Sequence, residues 1–316
     1  MPDILGIDTP CVDLLVNLNH LPQPDESYPM QEMSWQGGGK VATALTAAAR
    51  LGASCGIIGV VGNDVFGNFC RKDFERHGVD THFLFQQEST CTPFSLVLSD
   101  RETGSRNIIW KPVDFLQIDF NMLDTAYLAQ AKYIHLSKVS ACNLEIAKWA
   151  RAHQIKVSYD ADHDDAHLEA MLPFIDVFIA SEFLHEQWFG GTDFETSLRA
   201  VSKEGPEIVV FTLGEKGCVG MGQGTFFVEP AFHTAVVDTV GAGDVFHGAF
   251  LYSLMRCWGL REAARFSNAV AAIKCTRIGG RAGMPDVETA LEFMRSGKID
   301  YSEIDQRVAF YADAQF

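Results

Sequence analysis

The sequence predicts an α/β fold in which helices cover both faces of a doubly wound, mostly parallel sheet. Three observations support this prediction. From residue 133 onward, short buried-strand patterns alternate with helical patterns. Two glycine-rich turns, at residues 37–39 and 241–243, each open a run of helical periodicity. The length of 316 residues fits one large α/β domain or two smaller ones.

The composition narrows the class of function. With 47% hydrophobic residues and a net charge of −16, the chain is an acidic globular protein. A nucleic-acid or anionic-membrane surface is excluded because both require a basic footprint. The eight cysteines include no C-x-x-C pair, the start lacks a signal-peptide pattern, and no apolar run reaches the length of a membrane helix. We therefore expect a cytoplasmic protein with reduced cysteines.

The first part of the chain predicts a strand that leads to an active-site edge. Ile4 to Ile7 form a short apolar run that ends near Asp8, and Asp13 follows in CVDLLVNL. Residues 16–36 are polar and contain three prolines, so they predict an excursion away from the core.

The segment GGGKVATALTAAARLG predicts a helix after a glycine turn. Its apolar residues keep helical spacing, and Gly52 is a plausible stop. Two interpretations of the turn stay open: the glycines let a substrate approach the backbone, or they only make a turn. The next segment, Cys55 to Gly67, predicts a buried strand, a turn and the start of a helix.

A second excursion spans roughly residues 82–112. Within it, FSLVLSD and SRNIIW predict two strands joined by the turn RETG. Together with residues 14–34 they are expected to form a small β-sheet that stands off the main body as a lid. Open edges of such a sheet are often covered by a second subunit, so a homodimer through the lid is a candidate assembly.

The remaining strand predictions follow in a regular series. They are Tyr133 to Ser137, Lys156 to Asp160, Asp176 to Ser181 and Glu207 to Gly214. Helical patterns separate the first three, which predicts parallel pairing. In such sheets ligands bind at the carboxyl ends of the strands.

The segment DTVGAGDVFHGAFLYSL, Asp238 to Leu254, carries the strongest chemical signal. Glycines before a helix allow close approach of a ligand, and the unpaired N–H groups and dipole of the helix start favour a phosphate. Asp244, at the start of that helix, could remove a proton from a hydroxyl held beside the phosphate. The alternative is an ordinary first-turn acid after a tight turn.

Several other motifs are excluded or left open. Phe246 replaces the third glycine of a dinucleotide fingerprint, and Ser34 and Val41 rule out a Walker A loop at GGGK. No G-x-S-x-G elbow is present. The acidic stretch at residues 160–167 fails the EF-hand pattern, so it either binds Mg²⁺ through water or is a solvated loop. His247 is expected on the polar side of its helix, in a structural role.

Taken in order, these segments resemble the ribokinase-like, or PfkB, carbohydrate kinase family. The family's C-terminal signature, D-T-x-G-A-G-D, is matched from Asp238 to Asp244. Its N-terminal signature, a glycine pair followed by a small-residue helix ending in Leu-Gly, is matched at Gly38, Gly39, Leu51 and Gly52. The segments GVVGNDVFG and GEKG are also similar to family motifs. The resemblance covers nearly the whole chain and implies a single ribokinase-like domain over residues 1–316.

The resemblance implies a role for each matched position. Asp244 would be the general base, and the N–H groups of Gly241, Ala242 and Gly243 would form the anion hole. The positions that match substrate contacts are Asp13, Gly38, Gly39 and Thr43. Those that match nucleotide contacts are Thr212, Gly214, Gly217 and Asn268. Asp238 and Val240 match positions where some members bind a monovalent cation, which makes K⁺ a candidate cofactor.

Three departures from the family pattern limit what the resemblance implies. Thr43 stands where many members have a sugar-binding Asn. Ser181 and Leu184 stand where many have the Asn and Glu of an N-x-x-E motif linked to Mg²⁺, so this role moves to Glu182 or to the acidic stretch after Asp160. Asp162 replaces a usual Asn.

Together with the phosphate-binding turn and Asp244, the resemblance implies an ATP- and Mg²⁺-dependent kinase. It would transfer the γ-phosphoryl of ATP to a hydroxyl of a monosaccharide or sugar acid. Arg106, in the lid strand SRNIIW, either contacts a substrate anion or is a solvated charge. Two alternative functions stay open: a nucleoside kinase of the same fold, and a non-catalytic sugar-binding regulator.

Overall fold

The computed structural model describes residues 1–113 and 118–313, which form a nine-stranded and a four-stranded sheet with ten α-helices in that part of the chain. The strands, in chain order, are β1 (Ile4–Asp8), β2 (Cys11–Leu18), β3 (Glu32–Gly38), β4 (Cys55–Gly62), β5 (Val79–Gln87), β6 (Phe94–Asp100), β7 (Arg106–Trp110), β8 (Tyr133–Leu136), β9 (Lys156–Ala161), β10 (Val177–Ser181), β11 (Ile208–Thr212), β12 (Cys218–Gly222) and β13 (Thr225–Glu229). The helices are α1 (Lys40–Arg50), α2 (Val65–Arg76), α3 (Thr125–Leu128), α4 (Ala141–Ala152), α5 (Glu182–Phe189), α6 (Phe194–Lys203), α7 (Ala242–Met255), α8 (Leu260–Lys274), α9 (Val287–Ser296) and α10 (Ser302–Ala312).

The larger sheet has the strand order β13-β12-β11-β10-β9-β8-β1-β4-β5. The strands from β11 to β5 in this order pair in parallel, and the hairpin β12–β13 adds two antiparallel strands at one edge. The strand order reverses beside β1, which is the topological switch point where ligands of such sheets bind.

Successive strand residues point to opposite faces of the large sheet, and both faces are covered by helices. Leu5 of β1 belongs to a core cluster with residues of α4, α5 and α6, whereas its neighbour Ile4 packs in a cluster with residues of α1 and α2. In β10, Phe178 packs in the same cluster as Leu5, whereas its neighbour Ile179 packs in a different cluster. Near-continuous apolar strands are typical of a parallel sheet buried on both sides. The predicted doubly wound α/β class is therefore confirmed.

The four-stranded sheet has the order β3-β2-β6-β7. Its boundaries differ from those predicted for the lid. Residues 82–87 lie in β5 of the large sheet, and the small sheet already begins at Cys11 and extends to Gly38. The pattern HFLFQQ alternates in the way a half-exposed edge strand does, and local sequence does not distinguish between the edges of the two sheets.

The outer strand of the small sheet, β7, is exposed along its whole length. Ile108, Ile109 and Trp110 are 52%, 57% and 64% exposed. An uncovered apolar edge strand is a common site of pairing between chains. A homodimer through this sheet thus stays a prediction.

Near the C-terminus, where no element was predicted, Ser302–Ala312 forms α10. Its Tyr311 is fully buried and donates a hydrogen bond of 2.5 Å from its hydroxyl to Oδ1 of Asp73 in α2. Residues 314–316 lie outside the described part. None of the described helices combines the length and hydropathy needed to cross a bilayer.

Candidate active site

The turn before α7 has the geometry of an anion site. Gly241 is the N-cap residue of α7 and has a φ of 74°, a left-handed conformation that favours glycine. A Cβ at Gly241 would also lie 2.8 Å from the Cα of Gly280, so the two backbones pack directly. Beside Gly243 there is open space. Within the described residues no side chain caps α7, although the N–H of Ala242 donates to the carbonyl oxygen of Thr239 at 3.1 Å. The neighbouring N–H groups of the turn are the ones that a ligand would find available.

Asp244 lies in the first turn of α7 and is only partly exposed. Burial and the negative charge of Asp162 raise the pKa of its carboxyl to about 8, although Lys40 acts in the opposite direction. A carboxyl that titrates near neutral pH is well matched to general base catalysis. The electrostatics thus favour the catalytic interpretation of Asp244 over that of an ordinary first-turn acid.

Lys40, the first residue of α1, connects the two glycine-rich signatures. Its ammonium lies 2.7 Å from Oδ2 of Asp162. Burial acts to lower the pKa of Lys40, but the carboxylates of Asp160, Asp162 and Asp244 outweigh it and the pKa is raised. Asp162 is consequently part of the site, and not only a member of a solvated loop. Lys40 was not among the predicted site residues, although it directly follows the glycine turn.

The glycine turn itself packs against two acids. A side chain at Gly38 would collide with the carboxylate of Asp13 on β2, and Gly39, with a φ of 99°, lies against Asp8. Asp8 accepts a hydrogen bond of 2.9 Å from the N–H of Ala42 and so caps α1 from the end of β1. These two glycines are therefore needed for the close approach of β1, β2 and α1, in addition to any contact with a ligand.

Asp13 is a desolvated acid at the junction of the two sheets. Burial raises the pKa of its carboxyl, while hydrogen bonds from Cys11 and Ser95 and the charge of Arg281 partly offset the shift. The thiol of Cys11 donates to Oδ1 of Asp13 at 3.4 Å. A buried carboxylate with free acceptor capacity is suited to binding hydroxyl groups.

A cavity of about 500 Å³ lies between the two sheets at the end of β1. Its polar lining includes Asp8, Thr9, Ser95, Lys138 and Asn143. The size is within the range of small-molecule sites, and the mixture of charged, hydroxyl and amide groups suits a polar ligand better than an apolar one.

Thr43 and Arg106, the two remaining substrate candidates, differ in their surroundings. Thr43 is 3% exposed, and its methyl group lies beside Gly241 and Gly280 at the anion turn. Arg106 is exposed on β7 and donates a long hydrogen bond of 3.4 Å to the hydroxyl of Thr239. This contact directs the guanidinium toward the segment before α7.

The predicted nucleotide residues lie at the end of β11 and beside the hairpin β12–β13. Thr212 ends β11 and donates to the carbonyl oxygen of Ala180 at 3.3 Å. Gly214 and Gly217, with φ values of 57° and 97°, shape the turn that follows. Asn268 uses its amide N–H groups on the backbone oxygens of Glu229 and Pro230, both at 3.1 Å. These bonds give Asn268 a structural function in this region.

The candidate cation residues are already engaged. The carboxylate of Asp238 accepts from the N–H of Val240 at 3.0 Å and from that of Gly279 at 2.8 Å, and its backbone oxygen accepts from Lys274 at 2.9 Å. Glu182, the candidate Mg²⁺ ligand, lies 2.8 Å from the ammonium of Lys216. Ser181 caps α5 and Leu184 is fully buried, so the positions of the N-x-x-E motif serve the helix and the core.

The expectation that His247 lies on the polar side of its helix was wrong. Its side chain is 4% exposed and points into the interior, where Nε2 lies 3.5 Å from Oδ1 of Asp160 and the ring lies 5.4 Å from that of His135. Burial lowers the pKa of His247 and lowers that of His135 to about 4. The prediction failed because both helix faces are buried where α7 passes between the sheet and its neighbouring helices.

These three side chains resemble a metal cluster, with ligand atoms within 4.8 Å of one another. Metal-bound histidines usually hold their second ring nitrogen in a hydrogen bond. Across residues 1–113 and 118–313, Nδ1 of His247 lacks such a partner. The cluster is therefore interpreted as a neutral polar contact beneath α7.

The chain is similar to known proteins over most of its length. The profile described as pfkB family carbohydrate kinase matches residues 3–287. A ribokinase of Haemophilus influenzae is 28% identical over 295 residues, covering 89% of this chain and 95% of the relative. A sugar kinase of Archaeoglobus fulgidus, described as uncharacterized, is 31% identical over 247 residues and covers 75% and 97%. A nucleoside kinase of Methanothermobacter thermautotrophicus is 23% identical, covering 92% and 94%.

Solved structures show the same architecture. The ribokinase of Thermotoga maritima superimposes with a TM-score of 0.80 at 25% identity, over 94% of this chain and 100% of that one. A protein from E. coli, proposed to be ribokinase II and solved with ATP and Mg²⁺, gives a TM-score of 0.81 at 20% identity, over 93% and 99%.

Proposed function

Because the chain belongs to the pfkB carbohydrate kinase family and is a phosphotransferase, we propose that it transfers the γ-phosphoryl of ATP to a hydroxyl of a monosaccharide or sugar acid. The observation that carries the proposal is the position of Asp244. Its carboxyl has a pKa raised to about 8 and stands in the first turn of a helix whose N-terminus no side chain caps within the described residues. A proton acceptor and an anion site are thus adjacent.

In this proposal Asp244 takes the proton of the substrate hydroxyl while the oxygen of that hydroxyl forms a bond to the γ-phosphorus of ATP. The bond from that phosphorus to the β,γ-bridging oxygen breaks, and ADP leaves with the electron pair. The N–H groups of Gly241 and Gly243 would bind the transferring phosphoryl oxygens, joined by that of Ala242 once it leaves the carbonyl oxygen of Thr239. Such positioning and charge stabilisation supply most of the catalysis in phosphoryl transfer.

The substrate would bind beside the cavity between the sheets, where Asp13, Gly38 and Gly39 would contact its hydroxyl groups and Thr43 would lie beside the anion turn. The four-stranded sheet would act as a lid that excludes water, the competing phosphoryl acceptor. Arg106, which already contacts Thr239 before α7, would reach an anionic group of the substrate or the phosphoryl.

ATP would bind along the edge formed by Thr212, Gly214, Gly217 and Asn268. The donor set suits Mg²⁺, because carboxylates are concentrated around Asp244 and Mg²⁺ commonly binds one or two carboxylates together with phosphate oxygens. Asp162, which pairs with Lys40, would hold the ion in this chain, and Glu182, which pairs with Lys216, is the alternative. When bound, Mg²⁺ neutralises charge on the transferring phosphates.

The proposal is tested with a panel of monosaccharides, sugar acids and nucleosides in a coupled assay for ADP formation. We expect ADP formation with at least one monosaccharide or sugar acid. Turnover of nucleosides alone would favour the nucleoside kinase, a function that the similarity to the Methanothermobacter enzyme supports. Ligand binding without any ADP formation would favour the non-catalytic regulator.

Replacing Asp13 with alanine is expected to raise the KM for the sugar about 30-fold and the KM for ATP less than threefold. The reason is that a hydrogen bond from a hydroxyl to a buried carboxylate contributes about 2 kcal/mol. Steady-state kinetics with each substrate varied in turn measure both constants. Glu102→Ala, at an exposed acid in the turn between β6 and β7, is the control. Equal increases in both KM values would remove Asp13 from the substrate site.

A further inference from the structure

Lys274, the last residue of α8, has a fully buried ammonium group. Its side chain is 0% exposed, as is that of Arg281, but Arg281 forms an ion pair with Asp73. The ammonium of Lys274 instead donates to the backbone oxygen of Asp238 at 2.9 Å. Removing a cation from water is costly, so its position requires an explanation.

The partner of Lys274 belongs to the segment that leads into the anion turn. Asp238 lies three residues before Gly241, and the N–H groups of Val237 and Asp238 donate to the carbonyl of Cys275 at 2.8 and 3.2 Å. The carboxylate of Asp238 holds the N–H groups of Val240 and Gly279. Lys274 and its neighbour Cys275 therefore fix the start of this segment from the end of α8.

The site does not fit an exchangeable monovalent cation at Asp238 and Val240. A cation bound through the backbone oxygen of Asp238 would share that atom with the ammonium of Lys274. Two positive charges a few ångströms apart in a desolvated site repel each other strongly. The C-terminal end of α8 carries a partial negative charge, which would attract a cation. The ammonium of Lys274, the last residue of that helix, already supplies the positive charge there.

We propose that Lys274 is a fixed positive charge that takes the place of a monovalent cation and positions the turn that binds the phosphoryl group. This inference rests on the proposed kinase function. Lys274 acts through Asp238 and the backbone up to Gly241, so it is a positioning residue. The consequence is a kinase whose rate does not depend on K⁺.

The first test uses the unmodified protein in tetramethylammonium, Na⁺ and K⁺ chloride at equal ionic strength. The expected kcat agrees within about twofold across the three salts. Thermal unfolding in the same salts is expected to show no K⁺-specific increase in Tm, and this measurement does not require turnover. A tenfold or larger activation by K⁺, or a K⁺-specific rise in Tm, would overturn the inference. Absence of ADP formation in every salt would instead contradict the proposed function.

The second test is Lys274→Met, which removes the charge and keeps most of the volume. We expect kcat to fall about tenfold or more while the KM values for sugar and ATP change less than threefold, because the defect lies in the geometry of the anion turn. Lys132→Met, at an exposed lysine that pairs with Asp3 just before β1, is the control. An unchanged kcat in a folded Lys274→Met protein would overturn the positioning role. If that variant does not fold, the salt series on the unmodified protein decides.

Discussion

Replacing Asp244 with asparagine is expected to lower kcat about 10³-fold, with KM values for sugar and ATP within about threefold of the parent. Asparagine keeps the shape of the side chain but cannot accept the proton of the substrate hydroxyl. The anion turn, whose donors are backbone N–H groups, is unchanged. The measurement is steady-state ADP formation with the substrate that the panel identifies, together with ATP binding by calorimetry.

The raised pKa of Asp244 also predicts the pH dependence of the parent enzyme. The base must be ionised to act, so kcat/KM should rise with pH, about tenfold per unit, and level off above a pH of about 8. Bound Mg²⁺ and ATP bring positive and negative charge to the site, so the profile of kcat can differ from that of kcat/KM. In Asp244→Asn this acid limb should be absent.

The same shift has a consequence for stability. Since burial raises the pKa of Asp244, the folded state binds the proton more tightly than the unfolded chain. The resulting stabilisation is complete below the pKa of the unfolded chain and is lost as the pH rises through about 8. The Tm of Asp244→Asn should therefore exceed that of the parent protein at pH 9, and the difference should be smaller at pH 5. A carboxylate that destabilises the fold at working pH is typical of a catalytic group.

Asp164→Asn, at an exposed acid in the loop after β9, is the matched control for charge removal. It should change neither the pH profile nor the rate by more than about twofold. Full activity in folded Asp244→Asn would contradict the mechanism. A loss that appears entirely in the KM for sugar would assign Asp244 to substrate binding instead.

Local patterns were sufficient to predict the strands that form the centre of the large sheet. The predicted strand from Lys156 to Asp160 differs from β9 by one residue at its end, and the helix after GGGK is α1. These elements are specified by apolar periodicity and by glycine, which act within a few residues of each other.

The residues that the sequence did not identify depend on contacts between distant segments. The role of Lys40 depends on its ion pair with Asp162, more than a hundred residues later. The role of Lys274 depends on its hydrogen bond to the backbone oxygen of Asp238. His247 has an ordinary helical context, and only the packing of α7 against β8 and β9 buries it. Such pairings are set by topology, and a single sequence carries no local signal for them.

Replacing Asp73 with alanine is expected to lower the free energy of unfolding by about 3–5 kcal/mol, the largest stability effect we predict. Asp73 in α2 is 2% exposed and accepts from the guanidinium of Arg281 and from the hydroxyl of Tyr311. The backbone N–H of Arg281 donates to Gln36 at 2.7 Å, and its guanidinium donates to the carbonyl of Gly38 at 3.2 Å. Loss of Asp73 would leave Arg281 charged and buried without a counterion.

The double variant Asp73→Leu/Arg281→Met separates the effect of the unpaired charge on Arg281 from the effect of lost packing. If the uncompensated charge is responsible, the double variant should be more stable to urea than Asp73→Ala by about 2 kcal/mol or more, because replacing both partners with apolar groups of similar volume removes the unpaired charge. Tyr311→Phe, which keeps the ion pair, should cost only about 1 kcal/mol. A double variant no more stable than Asp73→Ala would instead assign the effect to packing between α2 and α10. Since Arg281 also contacts the carbonyl of Gly38, the double variant should show an increased KM for the sugar even where its stability is restored.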